Sequence, residues 1–417
     1  MKSLNQYILE QACNFRCGIS LPFQKVKMNF CDIPNLYNYS VPEDTIDIWK
    51  TASGAISFNE NEAIMGAIGE SLERYSSAIC DFELKEYNEL KRENILPYSE
   101  FSLFSSEQYE SEGFLWKKPD IKKQLYGKMY SLYDNNEIYI PQELIGLGSK
   151  VNPASLPSTS TGIAAYTSIY QAIYSALLEL LERDALTVYW ENSLGGREIK
   201  LDEKYLEQVK EKYGQVYCFD VTQDWNPFPV VMVCGYILSE NKKIISMGVA
   251  CRETYENAIE KAYIEWVQGC VFARFYNENN KKIKIDNQSD VVDFDLHAVY
   301  YTKYPKKWDD VPLIKDRIKY QYEEKNLNFK DKKVEKKIEF LLKVLKKENI
   351  RLYYKDLTSV DVKSIGVSVV RVVSPDLSII HADENAPFLG GRTSDVKWRY
   401  KNLKQGKFPN DFPHPLG

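Results

Sequence analysis

Apolar residues recur every three or four positions in four long stretches of the chain, which is the spacing of helices that bury one face. In the last stretch the polar positions are mostly lysines, as is typical of a solvated face. The pattern predicts helices over residues 59–80, 167–189, 256–275 and 331–348.

Shorter segments alternate apolar and polar residues or are apolar throughout, which indicates strands. Two of them flank the turn Asp134-Asn135-Asn136 and predict a hairpin over 125–147. Further strands are predicted at 217–221, 230–238, 243–251, 350–354 and 366–373. Because helices alternate with strands and hairpins, the sequence predicts an α+β, or mixed α/β, fold.

The two ends of the chain lack these patterns. Residues 1–50 predict an N-terminal arm, irregular or with a few short elements, or a segment that contacts a partner. Residues 51–417 are expected to form one large domain. Its proline-rich tail, 406–417, is expected to be extended, because proline cannot continue a helix.

Two glycines, Gly66 and Gly69, leave the first predicted helix without a side chain at two positions near its start. Each glycine inside a helix costs about 1 kcal/mol relative to alanine. We therefore expect another backbone segment or a ligand to approach this helix closely.

Composition narrows the possible functions. The 417 residues carry a formal net charge of -5, so no overall basic field exists to bind nucleic acid or an anionic membrane. The apolar runs are far shorter than the roughly 20 residues that a membrane span needs. The first residues also lack the apolar core of a signal peptide. We expect a cytoplasmic protein.

The cysteine and histidine residues indicate neither a metal site nor a catalytic triad. The eight cysteines include no two pairs at zinc-binding spacing, so reduced thiols are the preferred interpretation. Only three histidines are present, at 297, 381 and 414, which counts against a histidine metal site or a Ser-His-Asp triad. Candidate chemistry therefore rests on carboxylates.

The motif Glu-x-x-Glu-Arg occurs on two predicted helices, first as Glu70, Glu73 and Arg74 and again 109 positions later. Positions three and four apart share a helix face, so each set projects together. The second helix extends this polar ridge towards its start, and the third offers a Glu and a Gln at the same spacing. These further residues are Gln171, Ser175, Glu179, Glu182, Arg183, Glu265 and Gln268.

The same motif is common on helix surfaces, where its ion pairs contribute about 0.2–0.5 kcal/mol each. Two copies on otherwise apolar helices are harder to explain in this way, but the repeat alone leaves both interpretations open. If the carboxylates converge, their repulsion requires a cation, and Mg²⁺ bridging to phosphate oxygens is the natural partner. The sequence has no P-loop, so a nucleotide would be bound through the metal and arginines.

In combination, the motifs resemble the YcaO family from about residue 50 to the end of the sequence. Within the family, the chain is similar to azoline-forming cyclodehydratase subunits such as that of the microcin B synthetase. The matching motifs are Gly69-Glu70-x-x-Glu-Arg74, Ser160-Thr-Gly-Ile-Ala-Ala165, Ala176-Leu-Leu-Glu179-x-x-Glu-Arg-Asp184, Glu265-x-x-Gln268, Leu389-Gly-Gly-Arg392 and Pro413-His-Pro-Leu-Gly417.

The resemblance implies a YcaO-like ATP-binding fold, and the 109-residue repeat suggests an internal pseudo-duplication into two related halves. The implied reaction is ATP-dependent cyclodehydration of a ribosomally synthesised precursor peptide. A Cys, Ser or Thr side chain attacks the preceding backbone carbonyl, the resulting oxygen is phosphorylated, and phosphate leaves to give a thiazoline or oxazoline.

The resemblance also implies roles for individual residues. Mg²⁺ would be bound by Glu70, Glu73, Glu179, Glu182 and Glu265, and ATP by Arg74, Gln171, Ser175, Arg183 and Gln268. The tail, with Pro413 and Pro415, would return to the site, where the α-carboxylate of Gly417 would accept a proton.

The chain departs from the family pattern at Gly66, Thr167 and Gln171, where the family has Ser, Asn and frequently an acidic residue. Thr167 and Gln171 favour a non-catalytic YcaO scaffold, and a thioamide- or amidine-forming YcaO enzyme also stays open. The expected partners are a leader-binding E1-like (ocin-ThiF type) protein, the precursor peptide and an FMN-dependent azoline dehydrogenase, together in a multi-subunit complex.

Overall fold

The structure is a computed structural model of the chain. It describes residues 4–13, 18–28, 36–42, 53–148, 154–210, 214–280, 284–324, 327, 329 and 332–417. No helix among these residues is both long and apolar enough to cross a membrane.

The described strands pair into three sheets. They are β1 Gln24–Lys25, β2 Tyr37–Val41, β3 Ser53–Ser57, β4 Leu84–Glu86, β5 Leu125–Ser131, β6 Glu137–Pro141, β7 Ile163–Tyr166, β8 Arg197–Glu198, β9 Gln215–Asp220, β10 Val230–Ser239, β11 Lys242–Cys251, β12 Ile318–Lys319, β13 Tyr353–Asp356 and β14 Ser368–Val373. The sheets have the orders β1-β2-β3, β11-β10-β9-β8-β12, and β4-β5-β13-β14-β7 with β6 on β5. Neighbouring strands are antiparallel except for β8 and β12.

Helices pack against these sheets. They are α1 Leu4–Ala12, α2 Glu60–Ile79, α3 Ser106–Glu110, α4 Ile169–Glu191, α5 Glu203–Lys210, α6 Tyr255–Asn279, α7 Phe294–Lys303, α8 Pro305–Trp308, α9 Pro312–Lys315, α10 Val334–Lys347, α11 Val360–Ser364 and α12 Val396–Arg399. The larger apolar core lies around α4, α6 and the sheet that contains β10, and a second core lies around α2, β5 and β14. The mixed α/β class predicted from the sequence is confirmed.

The four long predicted helices are present, with ends shifted by a few residues. The first begins at Glu60 because the Asn59 side chain accepts hydrogen bonds from the backbone N–H groups of Asn61 and Glu62. The hairpin β5–β6 turns at Asn135, which has a φ of 59°. Residue 331, at the start of the fourth predicted helix, lies outside the described residues.

The sequence pattern missed the short helices α3, α5, α7, α8, α9, α11 and α12. The described part of residues 1–50 forms α1, β1 and β2, so regular elements occur there; its role as a partner-contact arm stays a prediction. Residues 1–3, 14–17, 29–35 and 43–50 of this segment lie outside the described part of the chain.

The expected close approach at the glycines of α2 is found at one position. A Cβ on Gly66 would lie 2.7 Å from the Cβ of Ala55 in β3, so strand and helix are in tight contact there. At Gly69 no atom of another described segment lies within 4 Å of such a Cβ, so the approach of a ligand there stays a prediction. The space beside Gly69 is open.

Candidate active site

The three long helices α2, α4 and α6 each follow directly on a strand, which is β3, β7 and β11 respectively. In two of the three connections a side chain caps the helix: Asn59 at α2 and Thr254 at α6. The same strand-to-helix arrangement therefore occurs three times, and each of the three helices carries predicted site residues on one face.

Backbone N–H groups hold three of the predicted glutamates. Glu70 Oε2 accepts from Gly54 N at 3.0 Å, and Glu179 Oε2 accepts from Gly162 N at 3.1 Å. Glu182 Oε2 accepts from the N–H of Cys251, the last residue of β11, at 3.2 Å. These bonds orient the carboxylates of α2 and α4 towards the strands beside them.

Gly162 can only be glycine in this conformation. Its φ is 84°, in the left-handed region, and a Cβ would overlap the carbonyl oxygen of Val372. The Ser-Thr-Gly motif therefore places the N–H that binds Glu179.

The two predicted arginines pair with the glutamates on their own helices. Arg74 Nη2 lies 2.7 Å from Glu70 Oε1. Arg183 Nε lies 3.7 Å from Glu179 Oε1 and 3.9 Å from Glu182 Oε1, distances that are long for hydrogen bonds. Arg183 Nε is buried and forms no hydrogen bond with the described residues.

Electrostatics show that the carboxylates of the three helices converge. Burial raises the pKa of Glu73 well above its ordinary value, and the negative charges of Glu179 and Glu70 raise it further. Burial, and then the charge of Glu265, raise the pKa of Glu182 to about 8. Because Glu73 is on α2, Glu182 is on α4 and Glu265 is on α6, one site gathers five carboxylates.

Arg371 belongs to this site although the sequence analysis did not select it. It lies on β14, opposite Ile163 in the register with β7, and its side chain is buried. Burial lowers its pKa to about 10, while the charges of Glu179 and Glu73 oppose that shift. Its Nε has no hydrogen-bond partner among the described residues. The available signal was an arginine within a run of valines.

Two further predicted residues lie on α6. Gln268 Nε2 donates to the carbonyl of Gly54 at 2.9 Å, so both backbone groups of Gly54 bind predicted site residues. Glu265 Oε1 lies 3.1 Å from Lys261 Nζ. The predicted pair on α6 thus faces β3 and α4.

Gln171 and Ser175 lie two turns and one turn before Glu179 on α4, and both side chains are half-buried. Their spacing places them on the face that carries Glu179. The two side chains therefore extend the polar face of α4 from Glu179 towards the N-terminus of the helix.

The tail packs on the protein beside α7. Trp190 Nε1 donates to the carbonyl of Phe412 and the Tyr301 hydroxyl to that of Pro413, both at 2.7 Å. Residues 413–416, which include Pro415, are buried, whereas Gly417 is exposed next to Ala298. The tail therefore forms no helix, as predicted, and residues 413–416 are packed against the protein.

Helix α7 connects this tail to the carboxylates. Burial lowers the pKa of Arg74, but Glu70, and more weakly Glu73 and Asp295, raise it above its ordinary value. Asp295 lies next to Phe294, whose carbonyl is 3.3 Å from the Cβ position of Gly417. The end of the tail thus lies beside α7, whose Asp295 acts electrostatically on Arg74.

This donor set suits a hard cation and phosphate. Five carboxylates in one partly buried site repel one another unless cations compensate them, and Mg²⁺ prefers oxygen ligands. The Nε donors of Arg183 and Arg371 are buried and have no hydrogen-bond partner among the described residues. Guanidinium groups bind phosphate oxygens through such donors.

Comparison with known proteins identifies the fold. A family model described as YcaO cyclodehydratase, ATP- and Mg²⁺-binding, matches residues 56–378. The search of curated proteins found no match.

Several solved structures share the fold at low sequence identity. A heterocyclase in complex with substrate and cofactor superposes with a TM-score of 0.72 at 16% identity, over 99% of this chain and 57% of its own length. A YcaO protein from Methanopyrus kandleri bound with AMPPCP and Mg²⁺ has a TM-score of 0.60 at 15% identity, over 86% of each chain. The E. coli microcin synthetase McbBCD complex with pro-MccB17 bound gives 0.61 at 19% identity, over 88% of this chain and 90% of the matched one. The chain thus spans less than two thirds of the heterocyclase.

Proposed function

Because this chain belongs to the YcaO family, we propose that it is the ATP-dependent cyclodehydratase subunit that forms thiazoline or oxazoline rings in a ribosomally synthesised precursor peptide. Its cofactors are ATP and Mg²⁺. The observation that carries the proposal is the convergence of five carboxylates from α2, α4 and α6 beside arginine Nε donors that have no hydrogen-bond partner among the described residues.

The site residues fit these cofactors. Glu70, Glu73, Glu179, Glu182 and Glu265 would hold Mg²⁺, since their mutual repulsion needs compensation and their oxygens are the ligands it prefers. The residues proposed to contact ATP are Arg74, Gln171, Ser175, Arg183 and Gln268, to which the structure adds Arg371. Bound together, ATP and Mg²⁺ supply the phosphorylation that turns an amide oxygen into a leaving group.

The protein itself contributes position and charge. The N–H groups of Gly54, Gly162 and Cys251 fix three carboxylates before any ligand enters, so little reorganisation is needed on binding. Arg371 presents a buried positive charge and Arg183 a partly buried one, which would stabilise the negative charge that develops on a transferred phosphoryl group.

The tail is proposed to complete the site. Pro413 and Pro415 hold it extended and buried against the domain, while Gly417 stays exposed beside α7. The α-carboxylate of Gly417 is the proposed proton acceptor, a role that requires only a suitable position and pKa.

The proposed partners would deliver the peptide and process the product. They are a leader-binding E1-like protein, the precursor peptide and an FMN-dependent azoline dehydrogenase. Their support is indirect: one structural neighbour is a three-component synthetase with its pro-peptide bound, and another is a heterocyclase in complex with substrate.

The proposed reaction is tested by incubating the chain with Mg·ATP, a candidate leader-binding partner and a peptide rich in Cys and Ser. Mass spectrometry should show the loss of one water per ring, with phosphate released in proportion. Exchange of oxygen for sulfur in the presence of sulfide would instead establish a thioamide-forming enzyme.

A non-catalytic scaffold is the second candidate, because Gln171 and Thr167 depart from the family pattern at the start of α4. A scaffold would stabilise the partner complex without binding nucleotide. Absence of ATP binding by calorimetry, together with an intact complex, would favour it over the enzyme.

A further inference from the structure

All three histidines of the chain meet in one buried cluster. His297 lies on α7, His381 follows β14, and His414 lies in the tail between Pro413 and Pro415. With Glu384 they offer four ligand atoms that all lie within 4.8 Å of one another. The scarcity of histidine in the sequence argued against such a site, yet the fold brings together every histidine present.

The cluster is closed to solvent, and its hydrogen bonds are incomplete. His297 is 0% exposed, and His381 and His414 are each 2% exposed. The Nδ1 atoms of His381 and His414 are buried and have no hydrogen-bond partner among the described residues. A buried polar atom without a partner is rare and often marks a bound water or ion.

The cluster also contains two buried carboxylates. The carboxylate of Glu384 is 7% exposed, and that of Glu191, 3.8 Å from His381 Nδ1, is 6% exposed. With neutral imidazoles, two buried carboxylates carry two negative charges, and buried charge is costly unless an opposite charge compensates it. A divalent cation would neutralise both.

We propose that His297, His381, Glu384 and His414 bind a divalent transition metal, Zn²⁺ by its ligand chemistry, and that this ion fixes the tail to the domain. Zn²⁺ binds histidine nitrogen and carboxylate oxygen at about 2.0–2.1 Å in a tetrahedron, which places neighbouring ligand atoms about 3.3 Å apart. Glu384 Oε1 lies 3.2 Å from His381 Nε2 and 3.7 Å from His297 Nε2, close to that spacing.

The second ring nitrogens are placed as they are in known metal sites, where a ligating histidine donates its other N–H to a carbonyl or carboxylate. His297 Nδ1 donates to the carbonyl of His414 at 2.8 Å, and His414 Nε2 donates to that of His381 at 3.0 Å. His381 Nδ1 faces Glu191. His414 would then ligate through its partnerless Nδ1.

Two adjustments are needed on binding. His297 Nε2, the nitrogen that would bind the ion, lies 3.1 Å from the carbonyl oxygen of Ala382 and would give up this contact. The rings of His297 and His414 are stacked in parallel, with centroids 3.8 Å apart, so their lone pairs do not converge on one point. A rotation of the His414 ring about χ2 would aim Nδ1 at an ion shared with His297, and the metal bond would replace the hydrogen bond from His414 Nε2 to the carbonyl of His381. The tail would then be bound to the domain by a metal bond as well as by its hydrogen bonds.

The proposal is tested with the full chain, freed of metal by a chelator and then titrated with ZnCl₂ alone. We expect one tightly bound Zn²⁺ per chain, a rise in melting temperature, and, with Co²⁺ as the probe, the intense visible absorption of a tetrahedral site. H414Q and E384Q should lose this stoichiometric binding. E191Q should weaken it about 10–100-fold, as expected for a residue that supports a ligand.

The matched control is D383N, which removes a carboxylate of the same loop outside the cluster and should bind Zn²⁺ as the wild type does. Failure of the folded wild-type chain to bind Zn²⁺ or Co²⁺, or retained stoichiometric binding in folded H414Q and E384Q, would overturn the proposal. The wild-type Co²⁺ spectrum decides the question even if a variant does not fold. Mg·ATP binding is measured separately, so the failure of one site does not imply the failure of the other.

Discussion

Glu182 is the carboxylate for which the structure gives the clearest expectation. Its side chain is 10% exposed, its charge repels that of Glu265, and its pKa is raised to about 8. An ionised Glu182 carboxylate therefore destabilises the metal-free protein, and only a bound cation compensates its charge. We therefore expect E182Q to lose Mg·ATP binding and phosphate release while the metal-free protein becomes no less stable.

Isothermal titration with Mg·ATP and thermal melting without Mg²⁺ measure the two parts of this prediction. E260Q, which changes an exposed acid on α6, is the control and should behave as the wild type does. Turnover of E182Q at the wild-type rate would contradict the metal assignment.

Asp184, two positions after Glu182, has a structural role instead. It forms a fully buried ion pair with Arg399, with Nη2 2.6 Å from Oδ1 and both side chains 0% exposed. It also accepts hydrogen bonds from Ser378 N and Gln223 Nε2. D184N would leave the Arg399 charge buried and uncompensated, so we expect a loss of about 3–5 kcal/mol in the free energy of unfolding.

Urea denaturation of D184N checks this expectation. D411N, which breaks the exposed pair with Lys407, serves as the control and should leave the midpoint unchanged. A wild-type midpoint for D184N would show that the buried pair is dispensable.

At the residue scale, sequence analysis could find what one helix face displays. Glu70 with Glu73, and Glu179 with Glu182, are visible because positions three apart share a face. Arg371 and the histidine cluster were missed because each joins residues that are far apart in the chain. Only the pairing of β14 with β7, or the return of the tail to α7, brings these residues together.

At the scale of elements, the contact between β11 and α6 sets the position of Glu265. A Cβ on Gly248 would overlap the backbone of α6 at Ala262 and Trp266 and lie 2.8 Å from the Cβ of Glu265. G248A should push α6 outward and move its carboxylate away from α4. We expect a higher KM for ATP and a lower melting temperature.

The control is G69A on α2, where a Cβ meets no described atom within 4 Å. Alanine is favoured over glycine inside a helix by up to about 1 kcal/mol, so this variant should melt at a higher temperature with an unchanged KM. A wild-type KM for folded G248A would show that the position of α6 is not critical. A raised KM for G69A would instead indicate that ligand occupies the open space beside Gly69.

Long periodic helices and the β5–β6 hairpin could be predicted because their signals are local. The helices α7, α8 and α9 span 10, 4 and 4 residues, too few for the apolar spacing to repeat clearly. Their positions depend on tertiary packing, for example of Tyr300, Tyr301 and Trp308 in the main core. Such contacts join residues from different elements, so the periodicity of one segment cannot predict them.

For the whole molecule, the 109-residue offset extends beyond the Glu-x-x-Glu-Arg motif. Helices α2 and α4 begin at Glu60 and Ile169, which differ by the same offset, and each follows a strand. The third unit, β11–α6, was not evident as a repeat because it retains only Glu265 and Gln268. An internal pseudo-duplication into two halves stays a prediction, and a three-fold arrangement of strand and helix describes the site equally well.

The last prediction concerns the C-terminal tail, which packs on the domain and is proposed to complete the active site. Deleting residues 416–417 keeps His414 with its contacts and the buried Pro415, but removes Gly417 and the buried Leu416. We expect ring formation to fall sharply while Mg·ATP binding persists, because the carboxylates of α2, α4 and α6 do not depend on these residues. The lost burial of Leu416 should cost no more than about 1.5–3 kcal/mol. L416M, which conserves volume, is the control for packing.

A chain extended by Gly-Ser after Gly417 retains every tail contact and moves only the α-carboxylate, so loss of cyclisation in this variant would support that group as the proton acceptor. Unaltered cyclisation in the deletion variant would show instead that the tail serves only to stabilise the fold.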